Sequence, residues 1–367
     1  MIDYNQIIKP ALLLDETKCR RNIRNMTEKA KSSGVIFRPH FKTHQSVTIG
    51  KWFREEGVSF ITVSSVTMAK HFAFNGWNDI TIAFPVNLRE LGEIGILADK
   101  TRLNILVSGW EQTKYLIQHS SSELGCFIKI NTGLNRSGVD WDDYDQIERM
   151  INLVNKSPNI RIKGFLTHSG HTYKASTVNE IADIYHDTLN KLTSLRSRYS
   201  SSDIIISTGD TPSCSVINDF KGFDEIRPGN FVFYDLTQIS LGSCKPDQVA
   251  IAVACPVVEK NHKRKEIIVY GGGVHLSKET LKLSDGRTVF GEVVIIDDNG
   301  WKFPDERCFV KSLSQEHGVI ASTDELMKNS EVGGLIGIIP VHSCMTADLM
   351  REYYTFDNKK ITDFSPK

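Results

Sequence analysis

Short apolar segments alternate with amphipathic segments through the first two thirds of the chain. Eight apolar segments have the length and flanking turns of buried strands, at 35–37, 58–63, 80–84, 103–107, 126–130, 162–167, 204–207 and 225–226. Helical spacing of apolar residues separates most of them, at 45–56, 65–75, 88–98, 110–119, 141–154 and 177–199. Such strand–helix units over roughly 200 residues are typical of a (β/α)8 barrel of the TIM type. An open doubly wound sheet is the alternative, because a repeating pattern does not show whether a sheet closes.

After about residue 241 the pattern becomes β-rich. Apolar segments at 249–258, 266–270, 288–296, 308–313 and 335–340 alternate with turn residues, and no long helical pattern interrupts them. We therefore expect a second, all-β C-terminal domain. The apolar segment 11–14 precedes the barrel and can pair into that domain. The predicted domains are a barrel at 16–241 and a β-domain formed by 1–15 plus 242–367.

Composition excludes several classes of partner. The chain of 367 residues is 40% hydrophobic and 24% charged, with a formal net charge of zero. This balance does not favour nucleic acid or an anionic membrane as the partner. No apolar run approaches the ~18 residues of a membrane span, and the amino terminus lacks signal-peptide features. Seven separated cysteines without a CxxC pair indicate a cytoplasmic protein with mostly inert thiols.

A lysine follows the first barrel strand, in the segment Arg38-Pro39-His40-Phe41-Lys42-Thr43-His44. Strand ends carry the chemistry of parallel barrels, and a lysine there can attack a carbonyl to form a Schiff base. His40 and His44 flank Lys42 at a spacing of two, so an extended chain would point all three side chains the same way. The competing interpretation is an ordinary solvated surface loop.

Polar motifs also follow the last four strands of the predicted barrel, at 129–138, 167–173, 207–213 and 227–230. Arg136 in the first of them is suited to hold an anionic or phenolic oxygen. Barrels often bind phosphate with the loops after strands seven and eight, and five residues there have suitable chemistry: Thr208, Gly209, Thr211, Gly229 and Asn230. Each loop alone is better explained by turn chemistry. Together with a strand-end lysine they indicate pyridoxal phosphate.

A metal pair is predicted near the carboxyl terminus, within Pro340-Val341-His342-Ser343-Cys344. On a strand, His342 and Cys344 would face the same side and reach one ion. Imidazole and thiolate are ligands that zinc prefers, and two protein ligands leave positions open for substrate, as in a catalytic site. The alternative is a buried cysteine beside an unrelated histidine.

These motifs together resemble the D-serine dehydratase / D-threonine aldolase family. The resemblance covers about residues 10–348, and its most specific parts are RPHFKTH, NTGLNRSG, HSGHTY, STGDTPS, RPGNFVFYD and PVHSC. It implies an alanine-racemase-like fold, pyridoxal phosphate and a divalent metal. Gln45 and Asn131 depart from the family pattern, since many relatives have Lys and Asp there.

The resemblance also implies roles for individual residues. Lys42 matches the Schiff-base lysine, Arg136 an arginine beside the phenolic oxygen of the cofactor, and Tyr173 a tyrosine near its pyridine ring. The loops at 208–211 and 229–230 match the phosphate cup. His342 and Cys344 match the metal pair that assists departure of the substrate hydroxyl. Family members usually form homodimers in which the β-domain of one subunit completes the site of the other.

The second metal ligand separates the branches of the family. Dehydratases resemble His-x-Cys, as here, whereas the better-studied threonine aldolases resemble His-x-Asp. This favours dehydration of a β-hydroxy D-amino acid, with D-serine as the expected substrate. The alternatives are a D-threonine aldolase, an amino-acid racemase without metal, and a non-catalytic protein that binds pyridoxal phosphate.

Overall fold

The structure is a computed structural model that describes residues 3–199 and 203–366. The chain divides into two compact units, the first comprising Met1–Asn22 with Asn230–Phe364 and the second Ile23–Gly229 with Ser365–Lys367. The domain limits expected from the sequence, 16–241 for the barrel and 1–15 plus 242–367 for the β-domain, stay a prediction.

The strands of the described residues follow in chain order. They are β1 (Ala11–Leu14), β2 (Ile36–Phe37), β3 (Ile61–Val63), β4 (Asp79–Pro85), β5 (Arg102–Val107), β6 (Leu124–Asn131), β7 (Val139–Asp140), β8 (Ile160–Leu166), β9 (Ile205–Thr208), β10 (Glu225–Ile226), β11 (Ile251–Asn261), β12 (Glu266–Tyr270), β13 (Leu281–Lys282), β14 (Thr288–Val289), β15 (Gly291–Asp297), β16 (Gly300–Lys302), β17 (Phe309–Leu313), β18 (His317–Ala321), β19 (Leu335–Pro340), β20 (Tyr353–Thr355) and β21 (Lys360–Ile361).

The α-helices of the same residues are α1 (Glu16–Ser32), α2 (Val47–Glu55), α3 (Val66–Phe74), α4 (Leu91–Ala98), α5 (Trp110–His119), α6 (Tyr144–Val154), α7 (Val178–Arg196), α8 (Thr211–Val216), α9 (Leu236–Ser240), α10 (Gly273–Leu276), α11 (Asp324–Asn329) and α12 (Ser343–Met350). Polar N-caps begin many of them. The hydroxyl of Ser46 accepts from the Ile49 amide at α2, and the Asp210 carboxylate accepts from the Ser213 amide at α8.

The second unit is a closed parallel barrel. In the described residues its eight main strands pair in the order β2-β10-β9-β8-β6-β5-β4-β3. The two edges meet at Thr62, whose amide donates to the Pro39 carbonyl at 2.9 Å and whose carbonyl accepts from the Phe41 amide at 2.9 Å. The predicted (β/α)8 barrel is therefore confirmed, and the open doubly wound sheet is wrong.

A buried ion network lies at the start of the segment that carries Lys42. Arg38 is 6% exposed and donates to Glu225 at 2.5 Å and to Asp79 at 2.6 Å. Removing one partner from such a network leaves a buried charge uncompensated, which is strongly destabilising. The network thus holds β2 beside β10. Arg38 directly follows β2 and lies four residues before Lys42 in the chain.

The first unit contains the antiparallel sheet. Six strands form a closed ring within the described residues, β11-β12-β18-β17-β15-β19, because β11 pairs with both β12 and β19. Strand β1 pairs antiparallel with β11, with Leu12 opposite Val253. The predicted all-β domain and the pairing of segment 11–14 into it are confirmed. The predicted strand at 288–296 is interrupted at Phe290 and forms β14 and β15.

The cysteines agree with the expectation of mostly inert thiols. All seven cysteines are free in the described residues, and six are buried. Burial raises the pKa of Cys126 to about 12, so that this thiol stays protonated and unreactive. Among the residues that the structure describes, no helix is both long and apolar enough to cross a membrane.

Candidate active site

The segment that carries Lys42 is a turn held by aromatic packing. Phe41 is fully buried, with ring centroids 5.0 Å from Phe53 and 4.9 Å from Phe72. His44 is also buried, 4.4 Å from Phe41, whereas Lys42 is exposed. The expectation that an extended chain points His44 and Lys42 the same way is therefore wrong, because the turn at residues 41–44 buries His44 in the aromatic cluster.

Two neutral histidines surround Lys42. The Lys42 amide donates to His40 Nδ1 at 3.3 Å. Burial first, and then the charge of Lys42, hold the pKa of His40 and that of His168 well below the usual range. His168 Nδ1 lies 2.7 Å from the Gly209 carbonyl oxygen, so Nδ1 carries the proton and Nε2 is left as an acceptor. Lys42, which follows β2, and the loop after β9 therefore lie at the same rim of the barrel.

Four cations share this rim of the second unit, and we call them the cation cluster: Lys42, Lys129, Arg136 and Arg227. Lys129 is 5% exposed. Burial, with the charges of Arg227 and Arg136, lowers the pKa of Lys129 to about 7. Arg227 is 3% exposed and donates to Ser207 Oγ at 2.6 Å and to the Thr167 carbonyl at 2.5 Å. Mutual repulsion among these groups suits the cluster to an anionic ligand.

The loop that carries Arg136 is tied together by Asn131. Its amide nitrogen donates to Asn135 Oδ1 at 2.8 Å and to Asp140 Oδ1 at 2.7 Å. Its oxygen accepts from the Gly133 amide at 3.2 Å and the Asn135 amide at 3.0 Å. An aspartate would keep the two acceptor bonds but would set a second carboxylate beside Asp140. Asn131, which departs from the family pattern, thus fits the hydrogen-bond partners at this position.

The loops after β9 and β10 pack tightly against their neighbours. Thr208 and Thr211 are buried at 4% and 1% exposure. A Cβ on Gly209 would lie 2.6 Å from the backbone of Arg227, and one on Gly229 would lie 2.9 Å from the His40 carbonyl oxygen. The buried hydroxyl of Ser213 has no hydrogen-bond partner in the described residues. These four predicted cup residues lie in the second unit with Lys42.

Replacing Gly209 by alanine should disrupt this packing, because backbone atoms cannot move away from the new methyl group. We expect a loss of about 1–3 kcal/mol in the free energy of unfolding and weaker retention of pyridoxal phosphate. Thermal unfolding and the absorbance of bound cofactor measure the two effects. Gly92→Ala is the control, since nothing lies within 4 Å of its added Cβ. If Gly209→Ala matches Gly92→Ala in both measurements, the close approach is unimportant.

Tyr173 lies in a short 3-10 helix, Gly170–Lys174, at the same rim. The adjacent Thr172 hydroxyl donates to Asp210 at 2.9 Å, and Asp210 also caps α8. Burial raises the pKa of Asp210 to about 6. The helix is thus anchored to the loop after β9, and the role of Tyr173 near a pyridine ring stays a prediction.

The predicted metal pair lies in the first unit. His342 is the N-cap of α12 and Cys344 lies in the first turn of that helix, so the expected strand geometry is wrong. Their side chains are nevertheless hydrogen-bonded. Burial lowers the pKa of His342, but the charge interaction with Cys344 and the hydrogen bond to it raise that pKa to about 9, with smaller contributions from Asp235 and Glu279. No group of three potential ligand residues occurs in the described part of the chain.

The side chain of Asn230 is engaged in the first unit with the metal pair. It is 3% exposed, and its Nδ2 lies 3.7 Å from Cys344 Sγ and 2.5 Å from Asp235 Oδ2. A contact between the backbone N–H of Asn230 and the phosphate stays a prediction.

Sequence reasoning assigned no role to several residues of these two sites. His168, Lys129 and Arg227 stand in the quoted motifs, and their position at strand ends was the available signal. Asp235 ends the quoted motif RPGNFVFYD, but its contact with Ser343, 108 residues away in the chain, had no sequence signal.

Two family models match the chain. One, described as "Alanine racemase, N-terminal domain", matches residues 14–236, more than half of the chain. The chain belongs to the alanine racemase N-terminal domain family. A second model, described as "Putative serine dehydratase domain", matches residues 250–356.

Relatives and solved structures extend this alanine racemase-like assignment over the full chain. A D-serine dehydratase of Dictyostelium discoideum is 30% identical and covers 99% of this chain and 98% of its own. A D-threo-3-hydroxyaspartate dehydratase of Delftia is 26% identical over 92% of this chain and 91% of its own. A solved metal-free cysteine-to-alanine mutant of D-threo-3-hydroxyaspartate dehydratase has a TM-score of 0.90 at 23% identity, covering 100% of both chains. The predicted family, fold and enzyme class, a lyase, are confirmed.

Proposed function

We propose that this protein is a D-serine dehydratase that uses pyridoxal phosphate and zinc to convert D-serine to pyruvate and ammonia. The observation that carries the proposal is the hydrogen-bonded His342–Cys344 pair in a chain that is similar to a D-serine dehydratase over 99% of its length. A thiolate beside an imidazole favours zinc, whereas the carboxylate of the aldolase pattern favours harder ions.

The residues of the second unit fit pyridoxal phosphate. The cation cluster lies at one rim and suits a phosphate-bearing anion, since Lys129 and Arg227 are buried beside other cations. The unpartnered hydroxyl of Ser213 is a further donor in the helix that follows Gly209. Lys42 is exposed and available to an aldehyde. Lys42 would hold the cofactor covalently, Arg136 its phenolic oxygen, and Thr208, Gly209, Thr211 and Gly229 its phosphate.

The residues of the first unit fit a zinc ion. His342 and Cys344 supply one nitrogen and one sulfur donor, and both are partly exposed. Two protein ligands leave coordination positions for water and substrate, as a catalytic ion requires. The ion would act as a Lewis acid on the β-hydroxyl of the substrate.

Lys42 is the proposed general base. Its Nζ takes the proton from the α-carbon of D-serine, and bound pyridoxal phosphate supplies a conjugated ring that spreads the remaining charge. His40 and His168 are held neutral beside Lys42, so they add no further positive charge to the rim. His168 Nε2 is left as an acceptor, because Nδ1 is committed to the Gly209 carbonyl.

The proposal extends to assembly and compartment. We expect a homodimer with active sites shared between subunits, as the family resemblance implies. We also expect a cytoplasmic protein, and the free, buried cysteines support this. Sedimentation of the purified protein at several concentrations measures the first expectation.

A panel of D-amino acids, with and without added zinc, tests the proposal. D-serine should give pyruvate and ammonia in equal amounts. Cleavage of D-threonine to glycine and acetaldehyde, without pyruvate from D-serine, would instead assign an aldolase. Interconversion of enantiomers would assign a racemase, and bound cofactor with no turnover of any substrate would assign a non-catalytic binding protein.

A further inference from the structure

The amide of Asn230 converges on the metal motif. Its Nδ2 lies 2.5 Å from Asp235 Oδ2, 3.0 Å from Ser343 Oγ and 3.7 Å from Cys344 Sγ. Asn230 Oδ1 is buried without a hydrogen-bond partner in the described residues. The reversed amide would set that oxygen against the Asp235 carboxylate, where two acceptors repel. The network therefore determines that the nitrogen, a donor, faces the sulfur.

Asp235 anchors both the amide and the helix that carries the cysteine. It is fully buried, and its Oδ2 accepts from the Ser343 amide at 2.9 Å as well as from Asn230. Its Oδ1 accepts from the Gln238 amide at 3.0 Å, as the N-cap of α9. One carboxylate thus fixes the first turn of α12, where Cys344 lies, relative to the donor that faces its sulfur.

We infer that Asn230 and Asp235 are positioning residues for the Cys344 thiolate as a metal ligand. An N–H donor beside sulfur stabilises the thiolate and limits its rotation, and outer groups of this kind typically change metal affinity by roughly 10- to 100-fold. The inference rests on the proposed function, because it concerns the ion held by His342 and Cys344. It gives Asn230 a role distinct from the phosphate contact expected from its sequence position.

Zinc affinity of the full-length protein, measured by competition with a chromophoric chelator, tests this inference. Asn230→Ala should weaken zinc binding by roughly 10- to 100-fold. Asn22→Ala is a matched control in the same unit. Asn22 is 2% exposed, and its Nδ2 donates to the carbonyls of Gln248 at 2.8 Å and Val232 at 3.3 Å. The control should bind zinc within about twofold of the unaltered protein.

Cobalt provides a readout that a loss of stability alone would not change. The unaltered protein with Co²⁺ should show a thiolate-to-cobalt charge-transfer band, and Asn230→Ala should shift or weaken it. Ser343→Ala removes a competing acceptor of the two Nδ2 hydrogens and keeps Asn230, so it should strengthen zinc binding several-fold even if Asn230→Ala fails to fold.

The outcomes separate the two levels of the hypothesis. Absence of the band in the unaltered protein would overturn the metal part of the proposed function. A normal band with unchanged zinc affinity in folded Asn230→Ala, or in Ser343→Ala where only that variant folds, would overturn the positioning role alone.

Discussion

Lys42→Ala should lower the turnover of D-serine by about 10⁴-fold or more, because the proposed function assigns this one side chain both the covalent attachment of the cofactor and the role of general base. The rate of pyruvate formation measures turnover. The absorbance band of lysine-linked pyridoxal phosphate should also be absent when the variant is titrated with cofactor. Near-normal turnover in this variant would refute the assignment of Lys42.

Lys51→Ala is the matched control for this substitution. Lys51 is an exposed lysine of α2, the helix that follows the Lys42 turn. Its loss removes one positive charge from the same part of the barrel, and we expect turnover to stay within about twofold. A small amine added to Lys42→Ala should restore part of the activity if the missing group is a base. If the amine restores turnover while the variant still retains bound cofactor, proton transfer makes the larger contribution.

The placement of Lys42 was predictable from sequence, whereas its orientation was not. An apolar strand followed by a polar segment indicates the rim of a barrel, and this is a local signal. The direction of His44 depends instead on its contacts with Phe53 and Phe72, which come from α2 and α3. Packing of distant aromatic rings decided which side of the turn is buried.

Closure of the barrel also could not be predicted from the pattern of apolar segments. It depends on hydrogen bonds that join Thr62 to Pro39 and Phe41, at the two edges of the sheet. The apolar runs predict that the strands exist, but a helix of few residues is too short to show the helical period. Helix α8 has six residues, fewer than two full turns, and was not predicted.

The predicted metal pair shows that two side chains can meet although the local geometry expected for them is wrong. A spacing of two places side chains together on a strand, and here the same residues meet at the start of a helix. The capping position brings the His342 side chain to Cys344. Asp235 and Asn230, which support this turn, come from a segment more than 100 residues earlier, and no local pattern connects them.

Removing the metal should separate the two halves of the proposed chemistry. Chelation, or His342→Ala, should lower pyruvate formation from D-serine by about 10³-fold, since a Lewis acid contributes several kcal/mol to the departure of a poor leaving group. The cofactor should stay bound, because none of its predicted ligands is a predicted metal ligand. Its absorbance after chelation and dialysis checks this, and zinc added back should restore turnover.

Exchange of the substrate α-proton distinguishes a metal that assists departure of the hydroxyl from a metal that only binds the substrate. In the proposed scheme Lys42 removes the proton and the metal assists departure of the hydroxyl, so the metal-free protein should still exchange the α-hydrogen of D-serine with deuterium from solvent, as NMR detects. Lys42→Ala should lose exchange even with zinc present. If chelation stops exchange and pyruvate formation together, the ion acts in substrate binding, and its assignment to hydroxyl departure is wrong. If chelation changes neither rate, His342 and Cys344 hold no ion that the reaction uses.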